Sequence, residues 1–122
     1  MIPTFTKPEI HNKKWGRELW VANSPDYCGK ILEFNKGCSC SLHIHVLKRE
    51  HFIIQGKFLF TYIDTENAQE YQKELNTGDV VYIPPGSPHQ MLALEDGCRI
   101  IEFSTQHFET DSYRIKSGIG KS

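Results

Sequence analysis

Apolar and polar residues alternate along this chain in short runs, and the runs are punctuated by Gly, Pro and Asn rather than gathered into helical faces. Leu19–Asn23, Gly29–Phe34, Cys40–Val46, His51–Ile54, Phe58–Ile63, Asp79–Ile83, His89–Leu94 and Cys98–Ser104 are rich in β-branched and aromatic side chains, which suit a pleated, half-buried surface. Eight short strands of this kind predict an all-β domain closed on itself. Gln55-Gly56 reads as a tight hairpin turn, with Gly supplying the positive φ. The polar stretch Thr65–Glu74 is too short and too polar for a core helix and reads as a hairpin insertion, with room for one helical turn. Periodicity alone leaves barrel and sandwich open.

At 122 residues the chain is long enough to bury roughly two-thirds of its unfolded surface without disulfide staples, so one compact domain is expected over residues 1–122. An N-terminal arm of about residues 1–16 precedes a barrel of about 17–105, and a tail of about 106–122 follows it. The 14 Lys and Arg nearly balance the 15 Asp and Glu, so no basic field exists to attract nucleic acid or anionic lipid. No apolar run approaches a membrane span, and Met1–Pro8 lacks a signal peptide's apolar core, which predicts a cytoplasmic protein. The four cysteines are then expected to stay reduced. Cys38 and Cys40 would share a strand face opposite His43 and His45 unless a bulge intervenes, and they read as small buried hydrophobes.

Two segments carry candidate chemistry. In Gly37–Glu50, His43 and His45 are two apart on a strand and project together, and Glu50 follows after a four-residue connection that lets it face them from the next strand. A lone His-x-His is often only a pair of partly exposed histidines. The second segment, Gly78–His89, is an apolar strand opened by Gly-Asp, closed by Pro84-Pro85-Gly86, and followed by His89 where a strand resumes. Imidazoles with one carboxylate suit a divalent transition ion (zinc, iron, manganese or nickel) and leave coordination positions for substrate.

Together the segments resemble the two motifs of the cupin superfamily, G-x5-H-x-H-x(3,4)-E-x6-G and G-x5-P-x-G-x2-H-x3-N, over Gly37–Gly56 and Gly78–Ala93. Gly37, His43, His45 and Glu50 fall at the first motif's spacings, and Gly78, Pro84, Gly86 and His89 at the second's. The chain departs in having five residues between Glu50 and Gly56, and Ala93 in place of Asn. Slipping the register to restore the first spacing would put Arg49 in the Glu position; Glu50 keeps Phe52 in its place two residues on.

The flanks Trp15–Trp20, Tyr27–Leu32, Ile101–Phe103 and Glu109–Ile115 are similar to those of small cupins of the mannose-6-phosphate isomerase type II group. The resemblance implies a jelly-roll barrel with one divalent metal ion held by His43, His45, Glu50 and His89. It further implies a small-molecule substrate, a sugar phosphate or nucleotide sugar, and an arrangement compatible with a strand-exchanged homodimer. The matching chemistry is sugar or sugar-phosphate isomerisation by metal-assisted proton transfer. Alternatives are an iron-dependent dioxygenase and a non-catalytic sugar-binding cupin.

Isomerisation needs a base, and Glu102, a carboxylate in the otherwise apolar run Arg99–Phe103, is the leading candidate, facing either pocket or solvent. His51 alternates away from Glu50 and Phe52 and so points outward. Lys48, Arg49, Arg99 and Arg114 are either surface charges or an anchor for an anionic substrate group. Phe52, Tyr62, Tyr82 and Phe103 either fill the core or stack on a sugar, while Trp15 and Trp20 tie the arm to the barrel or to a second subunit.

Overall fold

The computed structural model describes residues 1–121, and among them all regular structure is β. Eleven strands form in chain order: β1 Glu9–Lys13, β2 Gly16–Asn23, β3 Cys28–Phe34, β4 Leu42–Ile44, β5 Glu50–Gln55, β6 Lys57–Asp64, β7 Gln69–Asn76, β8 Val80–Ile83, β9 His89–Ala93, β10 Cys98–Ser104 and β11 Tyr113–Lys116. They build two antiparallel sheets, one in the order β1-β2-β3-β10-β5-β8 and the other β11-β4-β9-β6-β7, packed face to face as a single-domain jelly-roll barrel. No helix among the described residues is long and apolar enough to cross a membrane.

Three strands lie where the hydrophobic pattern predicts none. β1 lies in the arm and β11 in the tail, so parts of both segments set outside the barrel are sheet. β7 continues the polar insertion as an edge strand, paired along its length with β6 and exposed except at Leu75. Its Glu and Lys side chains keep that edge from pairing further. The turn before it contains no helix: Ala68 takes φ 59° and its N–H donates to the Asp64 carbonyl at 2.7 Å. The strand expected over Cys40–Val46 shrinks to three residues, with Ser39 held by an isolated bridge to Leu92.

Alternation fixes which side chains enter, and their identity divides the interior in two. On β3 the inward positions run Cys28, Lys30, Leu32, Phe34; on β5 they run Glu50, Phe52, Ile54; on β10, Cys98, Ile100, Glu102. The register sets Cys98 beside Phe34 and Ile100 between Leu32 and Ile54, whereas Glu102 lies between Lys30 and Phe52. The opposite sheet repeats the gradient, with Ala93 beside Phe58, Met91 beside Phe60, and His89 between Tyr62 and His43. One end of the barrel is therefore an apolar core and the other a polar chamber. Fully burying each large aliphatic or aromatic side chain of that core contributes about 1.5–3 kcal/mol. At the apolar end, Gly56 turns β5 into β6 with φ 97°, and a Cβ there would meet Cys98 Sγ at 2.9 Å.

Candidate metal centre

His43 on β4 and His89 at the start of β9 are directly opposite each other, and His45 follows one pleat beyond His43. The turn Pro84-Pro85-Gly86 delivers His89: Gly86 takes φ 79° and its N–H donates to the His45 carbonyl at 2.7 Å, tying the two motif segments together. One ligand nitrogen from each of His43, His45 and His89 lies within 4.8 Å of the others. Glu50, 2 % exposed at the start of β5, places Oε1 3.2 Å from His45 Nε2 and Oε2 3.7 Å from His89 Nε2. All four motif residues thus meet in one place. Arg49 is exposed, whereas Glu50 is buried beside the three histidines.

Hydrogen bonds set the tautomer of each imidazole. His43 Nδ1 contacts the Ser41 carbonyl at 2.7 Å, His45 Nδ1 the Asp111 carbonyl at 2.6 Å, and His89 Nδ1 the Ser87 carbonyl at 2.9 Å. A carbonyl only accepts, so each Nδ1 carries the proton and each Nε2 presents a lone pair, the arrangement that orients metal-binding histidines. Burial lowers all three pKa values to about 4, with neighbouring positive groups adding to it, so the rings are neutral at pH 7.

Glu50 supplies the complementary signal. Burial and the charge of Glu102 push its carboxyl up to about 8, against the pull of Lys48, and its Oε2 is buried without a hydrogen-bond partner. An orphaned carboxylate oxygen facing three imidazole lone pairs fits a divalent cation, which would satisfy the oxygen and hold the group ionised. The donor set, three nitrogens and one carboxylate, suits the transition ions expected from the sequence.

The chamber around this centre has a volume of about 480 Å³, within the range of small-molecule sites. Glu102 lines it, buried, with Oε2 2.7 Å from Lys48 Nζ and accepting a 2.8 Å bond from Ser104 Oγ. Burial works against its charge, but Lys48 and Lys30 outweigh burial and hold its pKa below the usual carboxylate range. The structure thus resolves the pocket-or-solvent alternative for Glu102 in favour of the pocket.

Lys48, open in the sequence between surface charge and substrate anchor, is buried at 3 % exposure and bridges Glu102 to Glu50, 3.3 Å from Glu50 Oε1. Burial alone would lower its pKa, yet Glu102 and Glu50 hold it above the ordinary value. It also donates to His107 Nδ1 at 3.1 Å, and burial with the two nearby lysines keeps that imidazole neutral, its pKa lowered to about 3.

Lys30 is a second buried lysine, 3.5 Å from Glu18 and 4.2 Å from the centroid of a Trp20 ring that itself stacks on His11 of β1. Neither Lys30, Glu18, His107 nor Asp111 was singled out by the sequence as part of the site. Lys30 had a signal, a cation on the buried face of an alternating strand; Asp111 had none. Asp111 accepts from the Val46 and Leu47 N–H groups at 2.8 and 3.2 Å while its carbonyl aligns His45.

Other candidates fall elsewhere. Arg99 pairs with Glu33 on the outer surface, and Arg114 is exposed at the chamber wall. His51 stacks on Tyr82 outside, as expected. Phe52 is in the core, Tyr62 stacks between Phe60 and Tyr71, and Tyr82 and Phe103 are exposed on the outer face, so the last three lie outside the chamber lining. Trp15 packs on Phe34 and forms part of the lining, tying the arm to its own barrel. Cys38 is buried, but Cys40 lines the chamber rather than pointing away, because the strand is interrupted before Leu42; burial pushes its thiol up to about 11. A strap of backbone, Ser117–Gly120, completes the wall: Ser39 N–H donates to the Ile119 carbonyl at 2.7 Å, and a Cβ on Gly118 would meet the Ser39 carbonyl at 2.3 Å.

A family model described as Cupin matches residues 28–116. Oxalate decarboxylase OxdC of Bacillus subtilis (strain 168) is 26 % identical over 104 residues, which are 80 % of this chain and 27 % of that protein. Among solved structures, the same enzyme at pH 4.6 superposes with a TM-score of 0.77 at 21 % identity, covering 88 % of this chain and 30 % of the other. The capsular polysaccharide assembling protein CapF of Staphylococcus aureus superposes at 0.80 and 19 % identity, covering 92 % and 32 %. CapF with the inhibitor 3-isopropenyl-tropolone gives 0.77 at 20 % identity, covering 89 % and 34 %. The chain thus spans about a third or less of each of these proteins.

Proposed function

The chain belongs to the cupin family, and from that membership and the chamber's geometry we propose that it is a metal-dependent enzyme acting on a small carbohydrate, a sugar or sugar-phosphate isomerase. His43, His45, Glu50 and His89 would hold one divalent ion, with zinc, iron, manganese and nickel all compatible with the donor set. That ion supplies Lewis-acid polarisation of a substrate carbonyl or hydroxyl.

The observation that carries the proposal is the buried Lys48–Glu102 pair in the same chamber as the ligand set, one residue away through Glu50. Glu102 is kept ionised by Lys48 and Lys30, so it enters the reaction in its basic form. Once it has taken a proton from carbon, the adjacent ammonium makes the new carboxylic acid strong enough to return that proton to the neighbouring carbon. Lys48 also places positive charge beside the oxygen on which negative charge develops. Lys30 and Arg114 give the chamber further cations for a phosphate or nucleotide diphosphate, of the kind a phosphorylated or nucleotide-linked sugar carries. Assignment of a carbohydrate rests on the flank resemblance, and the described role of CapF in assembling capsular polysaccharide is in keeping with it. The protein would work in the cytoplasm, with reduced cysteines, as a homodimer.

The test is solvent-deuterium incorporation into a panel of sugar phosphates and nucleotide sugars, with oxalate included, using metal-loaded wild type, Glu102→Gln and His43→Ala. Exchange is expected at a carbon beside a carbonyl, to require metal, and to fall roughly a hundredfold or more in Glu102→Gln, because an amide cannot take the proton. Unchanged exchange in Glu102→Gln removes that residue as the base. Absence of exchange with oxygen consumption by iron-loaded protein moves the assignment to a dioxygenase, and sugar binding without turnover to a binding protein.

A further inference from the structure

The cations that line the chamber fall into two groups. Lys30 and Lys48 are buried and already engaged, Lys48 by Glu102 and Glu50, Lys30 by Glu18 and the Trp20 ring. Lys13, Lys14 and Arg114 line it as well, but they are exposed, and none of them pairs with a carboxylate among the described residues. The carboxylates of the lining have partners of their own: Glu18 faces Lys30, Glu50 and Glu102 face Lys48, and Glu109 lies 3.6 Å from His107.

Unpaired lysines are ordinary on a surface, so exposure alone assigns nothing. Strand register does more. Arg114 is directly opposite His43 in the β11–β4 ladder. Cross-strand partners share a face of the sheet with their Cβ atoms about 5 Å apart, so Arg114 leaves its strand on the side of the metal centre. On the edge strand of the other sheet, His11 of β1 stacks on Trp20, and Lys13 two residues further shares its face. Lys14 follows in the turn to β2.

The strap Ser117–Gly120 joins these two edges. Ile119 exchanges hydrogen bonds with Ser39, its N–H donating to Oγ at 2.9 Å and its carbonyl accepting from the N–H at 2.7 Å. The Lys121 N–H donates to the Lys14 carbonyl at 3.0 Å. Those bonds use alternate N–H groups, and the ones between them, on Gly118 and Gly120, donate to no acceptor among the described residues. A Cβ on Gly120 would meet Lys14 Cβ at 2.5 Å, so the strap lies against the turn with no side chain between them.

We propose that Arg114, Lys13 and Lys14, with the open N–H groups of the strap, form an anion subsite for a phosphate monoester, carried at the far end of a substrate whose reacting end is on the metal. The proposal rests on the sugar-phosphate reading above and narrows it to a sugar monophosphate. An arginine fork takes two phosphate oxygens at once, and lysine ammonium groups offset the rest of a charge of about −1.5 to −2 at pH 7. A terminal phosphate presents three oxygens, which suits donors arriving from three directions: β11, the β1–β2 turn and the strap. Each phosphate of a nucleotide sugar is bonded on both sides and presents fewer. Lys30, enclosed by Glu18 and Trp20, adds field without a contact.

The test is a titration of the zinc-loaded, isotope-labelled chain with inorganic phosphate, followed by NMR, with chloride at matched ionic strength as the comparison. Phosphate is expected to shift the Gly118 and Gly120 amides and the Arg114 Nε–H, and chloride to leave them in place. Arg114→Gln and, separately, Lys13→Gln/Lys14→Gln should each weaken phosphate binding roughly tenfold to a hundredfold, the range for losing a hydrogen bond to a charged group. Lys73→Gln, an exposed charge removed from the far edge strand β7, should not. Mannose 6-phosphate should bind more tightly than mannose and lose a similar factor in Arg114→Gln, with mannose binding and metal affinity unchanged. Equal shifts with chloride, or phosphate affinity unchanged in both variants, overturn the subsite whatever the reaction proves to be. UDP-glucose bound as tightly as the sugar phosphate, and weakened as much by Arg114→Gln, overturns the restriction to a monoester. Phosphate held as expected, with no proton exchange in any sugar phosphate, overturns isomerisation and leaves the subsite standing.

Discussion

Replacing Lys48 by Met removes the one ammonium that contacts both buried carboxylates of the chamber while keeping an unbranched apolar stem. At an effective dielectric of about 20, an ion pair at 2.7 Å gives roughly 6 kcal/mol of attraction and one at 3.3 Å roughly 5. These separations are those of Lys48 from Glu102 and from Glu50. Burying the ammonium offsets several kcal/mol of that, and breaking a buried pair by removing one partner typically costs about 3–5 kcal/mol. For a domain of this size that corresponds to a fall in Tm of about 10–20 °C.

The sign of the pH dependence follows from the carboxylates. Without Lys48, both have folded-state pKa values raised above their unfolded ones, so the penalty is full at high pH and shrinks as the pH falls toward the unfolded pKa near 4.5. Denaturant titration of apo wild type and Lys48→Met at pH 8 and pH 5 is the assay, and the stability difference should be clearly larger at pH 8. Adding Glu102→Gln to Lys48→Met should recover part of the loss, since it removes one of the two stranded charges. A difference below about 1 kcal/mol at both pH values would refute the view that Lys48 is what permits two carboxylates to be buried together.

Three further outcomes are expected. Apo protein should lose stability as the pH falls from about 6.5 to about 4, because His43, His45 and His89 bind protons more weakly folded than unfolded; each contributes up to about 3 kcal/mol at the acid end, and metal should move the loss to lower pH. Asp111→Ala should cut metal affinity about 10–100-fold, measured by competition with a chelating dye, because it frees the Val46–Leu47 backbone that holds His45 in line; unchanged affinity would show that the loop holds itself. Gly118→Val should displace the Ser117–Gly120 strap from the Ser39 carbonyl, seen as faster amide exchange at Ser39 and Ile119, with metal content preserved.

How much of this was legible in the sequence depended on whether a residue's neighbours repeat with a period of two. Leu32 and Phe34 alternate cleanly within the strand expected over Gly29–Phe34, and the four motif residues were named from their spacing and the motif resemblance; Glu50 and His89 each open a strand, while His43 lies within β4 and His45 just beyond it. β7 escaped because six of its first residues meet solvent on both faces; it is a strand by virtue of pairing with β6, which leaves no hydrophobic alternation to read. β1 and β11 are edge strands of the same kind. Lys48 lies in the irregular connection between β4 and β5, where side-chain direction no longer follows parity, and its burial depends on Glu102 arriving from β10. His107 and Asp111 act on residues about sixty positions earlier, a contact that local pattern does not encode.

His43, His45, Glu50 and His89 are expected to close on one divalent ion inside the polar chamber. X-ray absorption at the metal edge, on protein whose metal content has been determined, tests it most directly in wild type and in Glu50→Gln and His89→Ala. One ion per chain is expected, with three imidazole nitrogens and one carboxylate oxygen at about 2.0–2.2 Å for a zinc-like ion. His89→Ala should remove one imidazole from the coordination shell, and Glu50→Gln should weaken binding without removing an imidazole. A metal-free protein under every loading condition, or an ion whose shell is unchanged in both variants, would show that these four residues do not hold a metal.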